Sequence, residues 1–140
     1  MNINIKLLSE TAKVPTKAHA TDAGFDLYAD SIITDNDSID KITYGTGIAL
    51  EIPDGFVGLI FPRSSIVNKG LSLRNSVGVI DASYRGEIKA VFTLLSSNVY
   101  SIGDRIAQIV FLKLPEVNLN VTSELSKTDR GAGGFGSSGK

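Results

Sequence analysis

Apolar positions recur at short range along this chain, in runs and alternations that suit strands and hardly ever a helix. Ile3, Ile5 and Leu7 alternate with polar neighbours, the period of a half-buried strand. Ile48–Ile52 and Phe56–Phe61 flank Pro53-Asp54-Gly55. That reads as a hairpin, because proline presets φ and glycine accepts positive φ. Val77–Ile80 and Glu87–Leu95 are separated by Asp81–Gly86, a second turn with glycine near its end, and Gly103-Asp104 punctuates the approach to Arg105–Leu112. Only Ser64–Lys69 looks like a helical turn or two, with Ser64 or Arg63 at its start and Gly70 as its stop. The pattern predicts an all-β, single-domain antiparallel sandwich or barrel of jelly-roll type with one very short helix.

Polarity rises after Leu114-Pro115, so Asn118 to Asp129 reads as a surface strand and linker. The core is expected to span 1–125 and a linker with a flexible C-terminal arm 126–140. The last eleven residues, from Arg130, include five glycines and have little to bury. They still carry Arg130, Phe135, Ser137 and Ser138. An arginine, hydroxyls and glycine-freed amides suit phosphates, and a lone aromatic suits a base; the plainer reading is a frayed terminus.

Composition narrows the chemistry. With 140 residues the chain makes one domain, and a net charge of −1 supplies no basic field for a nucleic-acid backbone. Cysteine is absent, which excludes disulfides, thiolate metal sites and cysteine nucleophiles. No apolar run is long enough for a signal peptide or membrane span, so a soluble, cytoplasmic protein is expected. The single histidine, His19, lies in a polar loop and reads as a solvated residue rather than a metal ligand or base. Carboxylate, arginine, hydroxyl and backbone amide remain, a set that fits phosphoryl transfer.

Three segments bring those groups together. Pro62-Arg63-Ser64-Ser65 falls where a strand gives way to the helical turn, a place suited to phosphate, although an N-cap serine beside a surface arginine is the stronger reading of these four residues alone. Asp81 directly follows an apolar strand, where a carboxylate can take a proton from water or merely satisfy turn amides. Tyr84, three residues on, offers a flat face to a sugar. Asp26 lies in a strand-like apolar run and needs a partner such as Arg63.

In this order the segments resemble the trimeric deoxyuridine triphosphate nucleotidohydrolases, the dUTPases. Five family motifs match Ala20–Tyr28, Pro62–Ser65, Gly78–Gly86, Gly103–Val110 and Arg130–Gly139. The resemblance implies hydrolysis of dUTP to dUMP and pyrophosphate, which limits uracil incorporation into DNA and supplies dUMP for thymidylate synthesis. It casts Asp81 as the group that activates water and Tyr84 as the residue packed on the deoxyribose. Asn75 and the backbone of Val79 and Ile80 meet the uracil edge inside a motif-three hairpin, and Lys89 contacts uracil through its backbone. Arg63, Ser64, Ser65 and Gln108 hold phosphates, and Asp26 orients Arg63. The arm closes last, with Phe135 over the base, Arg130, Ser137 and Ser138 on the γ-phosphate and Gly136 between them. The resemblance also implies Mg²⁺ carried by substrate phosphates and waters, with no protein ligand, and a homotrimer whose sites draw on neighbouring subunits.

Ser65 stands where many members have glycine, and Ser138 where threonine is frequent; both keep groups small or hydroxyl-bearing. A dCTP deaminase shares the fold and an Arg-Ser-Ser motif, but Asp81-Ala-Ser-Tyr84 and the Phe135-bearing tail favour the dUTPase. A nucleotide-gated interaction module is a further alternative, with Thr34–Asp40 as partner loop or plain solvated turn.

Overall fold

A computed structural model describes residues 1–33 and 39–134. The Thr34–Asp40 loop therefore falls largely outside the described residues, as do Phe135, Gly136, Ser137 and Ser138. Among the described residues the chain forms nine strands: β1 (Asn4–Leu7), β2 (Phe25–Tyr28), β3 (Ser31–Ile33), β4 (Lys41–Glu51), β5 (Phe56–Pro62), β6 (Leu71–Leu73), β7 (Gly78–Ile80), β8 (Glu87–Leu94) and β9 (Arg105–Lys113). A 3-10 helix over Ser64–Asn68 lies between β5 and β6. No helix among them is long and apolar enough to cross a membrane.

All pairings are antiparallel. One sheet runs β1-β4-β8-β6, with β3 also on β4, and the other runs β2-β9-β5-β7. Between them lies a core to which Tyr44, Ile48, Ile88 and Phe92 come from the first sheet and Leu27, Ile60, Ile106 and Ile109 from the second, each at most 2% exposed. Burial of each such side chain contributes about 1.5–3 kcal/mol. Tyr44 and Phe92 meet edge to face at 5.9 Å between ring centroids. The all-β architecture matches the sequence expectation.

The two expected hairpins are different objects. Gly55 has φ +78° and the Phe56 N–H donates to the Pro53 carbonyl at 3.2 Å, so the chain reverses as its turn residues dictate. Yet β4 and β5 lie in different sheets, and so do β7 and β8. A strand has two hydrogen-bonding edges. Those of β4 are taken by β8 on one side and by β1 and β3 on the other; those of β8 are taken by β4 and β6. β5 and β7 are left to pair with each other, so both turns become corners between sheets. β6 and β7 are also in different sheets, and the motif-three hairpin is a crossing connection as well.

Other corrections are local. β1 is an edge strand whose four residues are all exposed, Ile5 and Leu7 at 38% and 47% despite the alternation, and among the described residues its one partner strand is β4. The helix stops at Asn68 with Lys69 extended, and Gly70 is no left-handed stop. Its need is closeness: a Cβ there would lie 2.8 Å from the Ser96 backbone nitrogen. Beyond Lys113 no strand forms among the described residues, and Val117, Leu119 and Val121 are 66%, 93% and 105% exposed.

Candidate functional site

The end of β5 builds the first half of the site. Arg63 follows Pro62 in extended conformation at the start of the 3-10 helix, and neither it nor Ser64 caps that helix with its side chain. Its guanidinium turns sideways across the sheet instead. Nε donates to Asp26 Oδ1 at 2.7 Å and Nη1 to Ser65 Oγ at 3.2 Å. Strand register explains the reach: Asp26 on β2 and Phe61 on β5 both pair with Gln108 on β9, so the three lie in one row. The Asp26–Arg63 partnership expected from sequence is present.

Asp26 has a second cation that sequence reading missed. Arg105 Nη1 donates to Asp26 Oδ2 at 3.2 Å across 79 residues of chain. The arginine of Gly103-Asp104-Arg105 was visible, but nothing local pointed to its partner. Gln108 Nε2 donates to the Pro62 carbonyl at 3.1 Å, and Gln108 lies so close over Gly24 that a Cβ there would be 2.5 Å from its Oε1. Asp22, Gly24, Asp26, Arg63, Ser64 and Gln108 line a polar cavity of about 270 Å³. Tyr100, close to Ser65 and Arg63, is 3% exposed, its Oη without a well-formed partner. Burial pushes that phenol's pKa up, against the pull of the nearby Ser65 hydroxyl and Arg63 charge.

The second half lies where β7 leaves its sheet. Val79, Ile80, Asp81, Tyr84, Glu87 and Lys89 line a shallow cavity of about 190 Å³. The Tyr84 N–H donates to the Asp81 carbonyl at 3.1 Å, closing the turn, and the Tyr84 hydroxyl donates to the Glu87 carbonyl at 3.1 Å. Asp81 is exposed, as is Lys89, whose Nζ lies 3.6 Å from Glu87 Oε2. Asn75 precedes Ser76, which holds φ +60°, a conformation uncommon for a residue with a Cβ. The Asn75 amide lies against Gly78, with Nδ2 3.5 Å from where a Cβ would stand, and so beside the Val79–Ile80 backbone.

One chain does not bring the two halves together. Ile80 pairs with Gly58, which sets Asp81 level with Val57, six residues before Arg63, so Asp81 and Arg63 are separated by ~20 Å along the strand at ~3.3 Å per residue. Arg63 also leans towards β2, three strands from β7. Arg130 is in neither cavity: its Nε donates to the Gly133 carbonyl at 2.9 Å within its own turn. His19 is 81% exposed, with Nδ1 3.6 Å from Asp22 Oδ2.

The fold is that of a known class of β-proteins. The dUTPase family model matches residues 10–139. The chain belongs to the dUTPase family. It is 42% identical to the deoxyuridine 5'-triphosphate nucleotidohydrolase of Wolbachia pipientis subsp. Culex pipiens (strain wPip), with 100% of this chain and 97% of that one covered. The enzyme of the same name from Corynebacterium glutamicum is also 42% identical, over 99% of this chain and 95% of its own. Among solved structures, the dUTPase of Staphylococcus bacteriophage 80alpha with dUPNHPP superposes with a TM-score of 0.84 at 29% identity, over 99% of each chain. A dUTPase mutant from phage phi11 of S. aureus, which coordinates a structural Mg(II) ion, reaches 0.73 at 25% identity, over 89% of this chain and 98% of that one.

Proposed function

We propose that this protein hydrolyses dUTP to dUMP and pyrophosphate. The observation that carries the reading is the shared cavity of Asp81, Tyr84 and the Val79–Ile80 strand end: a base, a sugar platform and strand-edge amides within one nucleoside-sized space. Asp81 takes a proton from water as the water oxygen attacks the α-phosphorus. The bond from that phosphorus to the bridging oxygen breaks, and pyrophosphate leaves. Tyr84 packs on the deoxyribose, and Asn75 with the backbone of Val79, Ile80 and Lys89 reads the uracil edge. Recognition by hydrogen bonds at a base edge discriminates strongly, because a wrong base leaves buried polar groups unpaired.

Arg63, Ser64, Ser65 and Gln108 hold the triphosphate, and Asp26 keeps the Arg63 fork turned towards it. Their separation from Asp81 within one chain supports a homotrimer in which one subunit supplies the phosphate cradle and another the nucleoside cavity. Residues 1–125 form the catalytic core in this reading. The arm, 126–140, brings Arg130, Phe135, Gly136, Ser137 and Ser138 over bound substrate. A free nucleotide as substrate supports a cytoplasmic site of action.

Among the described residues no three His, Cys, Asp or Glu side chains cluster as metal ligands, and the polar cavity offers mainly phosphate donors. That donor set fits Mg²⁺ bound to the triphosphate and water. A bound Mg²⁺ would neutralise phosphate charge, and Arg63, Ser64 and Gln108 would bind phosphate oxygens beside it.

The test is pyrophosphate release from dUTP, dCTP, dTTP and UTP, each with Mg²⁺ and with EDTA. Release from dUTP alone, lost in EDTA, is expected. Loss of cytosine absorbance from dCTP without pyrophosphate release would move the chain to the deaminases. Binding of dUTP without any release would leave the nucleotide-gated interaction module.

A further inference from the structure

The turn that carries Asp81 and Tyr84 has no ladder to hold it. β7 ends at Ile80 in one sheet and β8 begins at Glu87 in the other, so residues 81–86 cross between layers with few backbone partners. Within the turn, the Tyr84 N–H donates to the Asp81 carbonyl. The remaining support comes from side chains.

One of them is Arg85. Its Nη1 donates to the Ala82 carbonyl at 2.5 Å and to the Tyr84 carbonyl at 3.1 Å, so a single guanidinium nitrogen ties together the two sides of the turn. Its Nη2 faces Glu51 Oε1 on β4 at 3.8 Å, and the other Glu51 oxygen accepts from Asn4 Nδ2 on β1 at 2.6 Å. The ion pair is half-exposed and contributes little by itself. Its use is directional: Glu51 turns the planar fork so that Nη1 faces the two carbonyls.

We infer that Arg85 is a positioning residue, which fixes Asp81 and Tyr84 relative to one another by clasping the Ala82 and Tyr84 carbonyls from an anchor on Glu51. The inference rests on the proposed dUTP hydrolysis. Asp81 is then held at the angle needed to take a proton from water, and loss of the clasp loosens the base without removing it. Misplacement of a base by about 1 Å is enough to lower turnover on the order of 100-fold.

The experiment compares Arg85→Ala, Arg85→Lys and Asp81→Asn with the parent enzyme in dUTP turnover, thermal unfolding and hydrogen exchange at the Tyr84 amide. Arg85→Ala is expected to lower kcat about 10- to 100-fold with KM within about threefold. Its Tyr84 amide should exchange faster while its melting temperature moves little. Arg85→Lys keeps the charge but not the fork and should recover part of kcat. Unchanged kcat and unchanged exchange in Arg85→Ala overturn the inference, as does a loss of kcat only in proportion to unfolded protein. If Arg85→Ala does not fold, the same two readouts in Arg85→Lys decide. An Asp81→Asn variant as active as the parent refutes the role of the base instead, and the exchange data still decide whether Arg85 holds the turn.

Discussion

Arg63 and Arg105 share one carboxylate: Asp26 accepts from Arg63 Nε on Oδ1 at 2.7 Å and from Arg105 Nη1 on Oδ2 at 3.2 Å. Asp26 is 13% exposed and Arg63 24%, so the stronger pair is largely shielded while Arg105 remains half in water. A shielded carboxylate with an oxygen for each arginine holds both planes fixed.

Asp26→Asn tests what that fixation does. The amide keeps the shape, loses the charge and offers one acceptor in place of two. Stability should fall by about 1–3 kcal/mol, the cost of leaving a shielded cation poorly paired. KM for dUTP should rise about tenfold as Arg63 loses its fixed aim, with a smaller change in kcat. Denaturant unfolding and steady-state kinetics read the two effects separately, and an unchanged KM would remove Asp26 from the phosphate cradle.

Gly70→Ala tests a close approach. The new methyl would sit 2.8 Å from the Ser96 backbone nitrogen, and backbone there is already tied by the Leu95 N–H to the Gly70 carbonyl at 2.7 Å. Neither segment can move away cheaply. A loss of about 1–3 kcal/mol in chemical denaturation is expected, typical of overpacking. Gly55→Ala has open space around it, so any cost there comes from φ +78° alone.

Deletion of Arg130–Lys140 separates closure from folding. The described part of that segment makes its hydrogen bonds within itself and with Thr128, and none with the two sheets. The truncated chain should melt within a few degrees of the full one and lose most of its dUTP turnover. A collapse of the melting temperature would mean that the arm is structural.

Alkaline pH should find the aromatic cluster. Burial raises the pKa of both Tyr44 and Tyr100 above the ordinary phenol value. A phenol kept neutral in the fold contributes stability at every pH below about 10, where the unfolded chain also holds the proton. Above about pH 10 the unfolded chain ionises first and stability falls. Tyr100→Phe should blunt that fall in melting curves between pH 9 and 11, since its Oη lacks a well-formed partner to lose.

Much of this protein is legible in its residues alone. Pro53-Asp54-Gly55 sets a reversal wherever it falls, and its geometry is local. Short apolar runs punctuated by turns specify strands, since no helical stripe competes. Asp26 and Arg63 could be matched because a shielded acid requires a cation and few candidates lay near. Asp81 and Tyr84 share one cavity because they share one turn. Tertiary structure alone decided which strands pair. β4 and β8 fill both their edges with partners distant in sequence, which turns two local reversals into corners between sheets. It also decided that Arg105 meets Asp26, that Arg85 clasps the Asp81 turn, and that Arg63 and Asp81 stand at opposite ends of β5. Turn chemistry acts over three or four residues, whereas pairing and ion contacts are settled by competition among all edges and charges, which a linear reading does not contain.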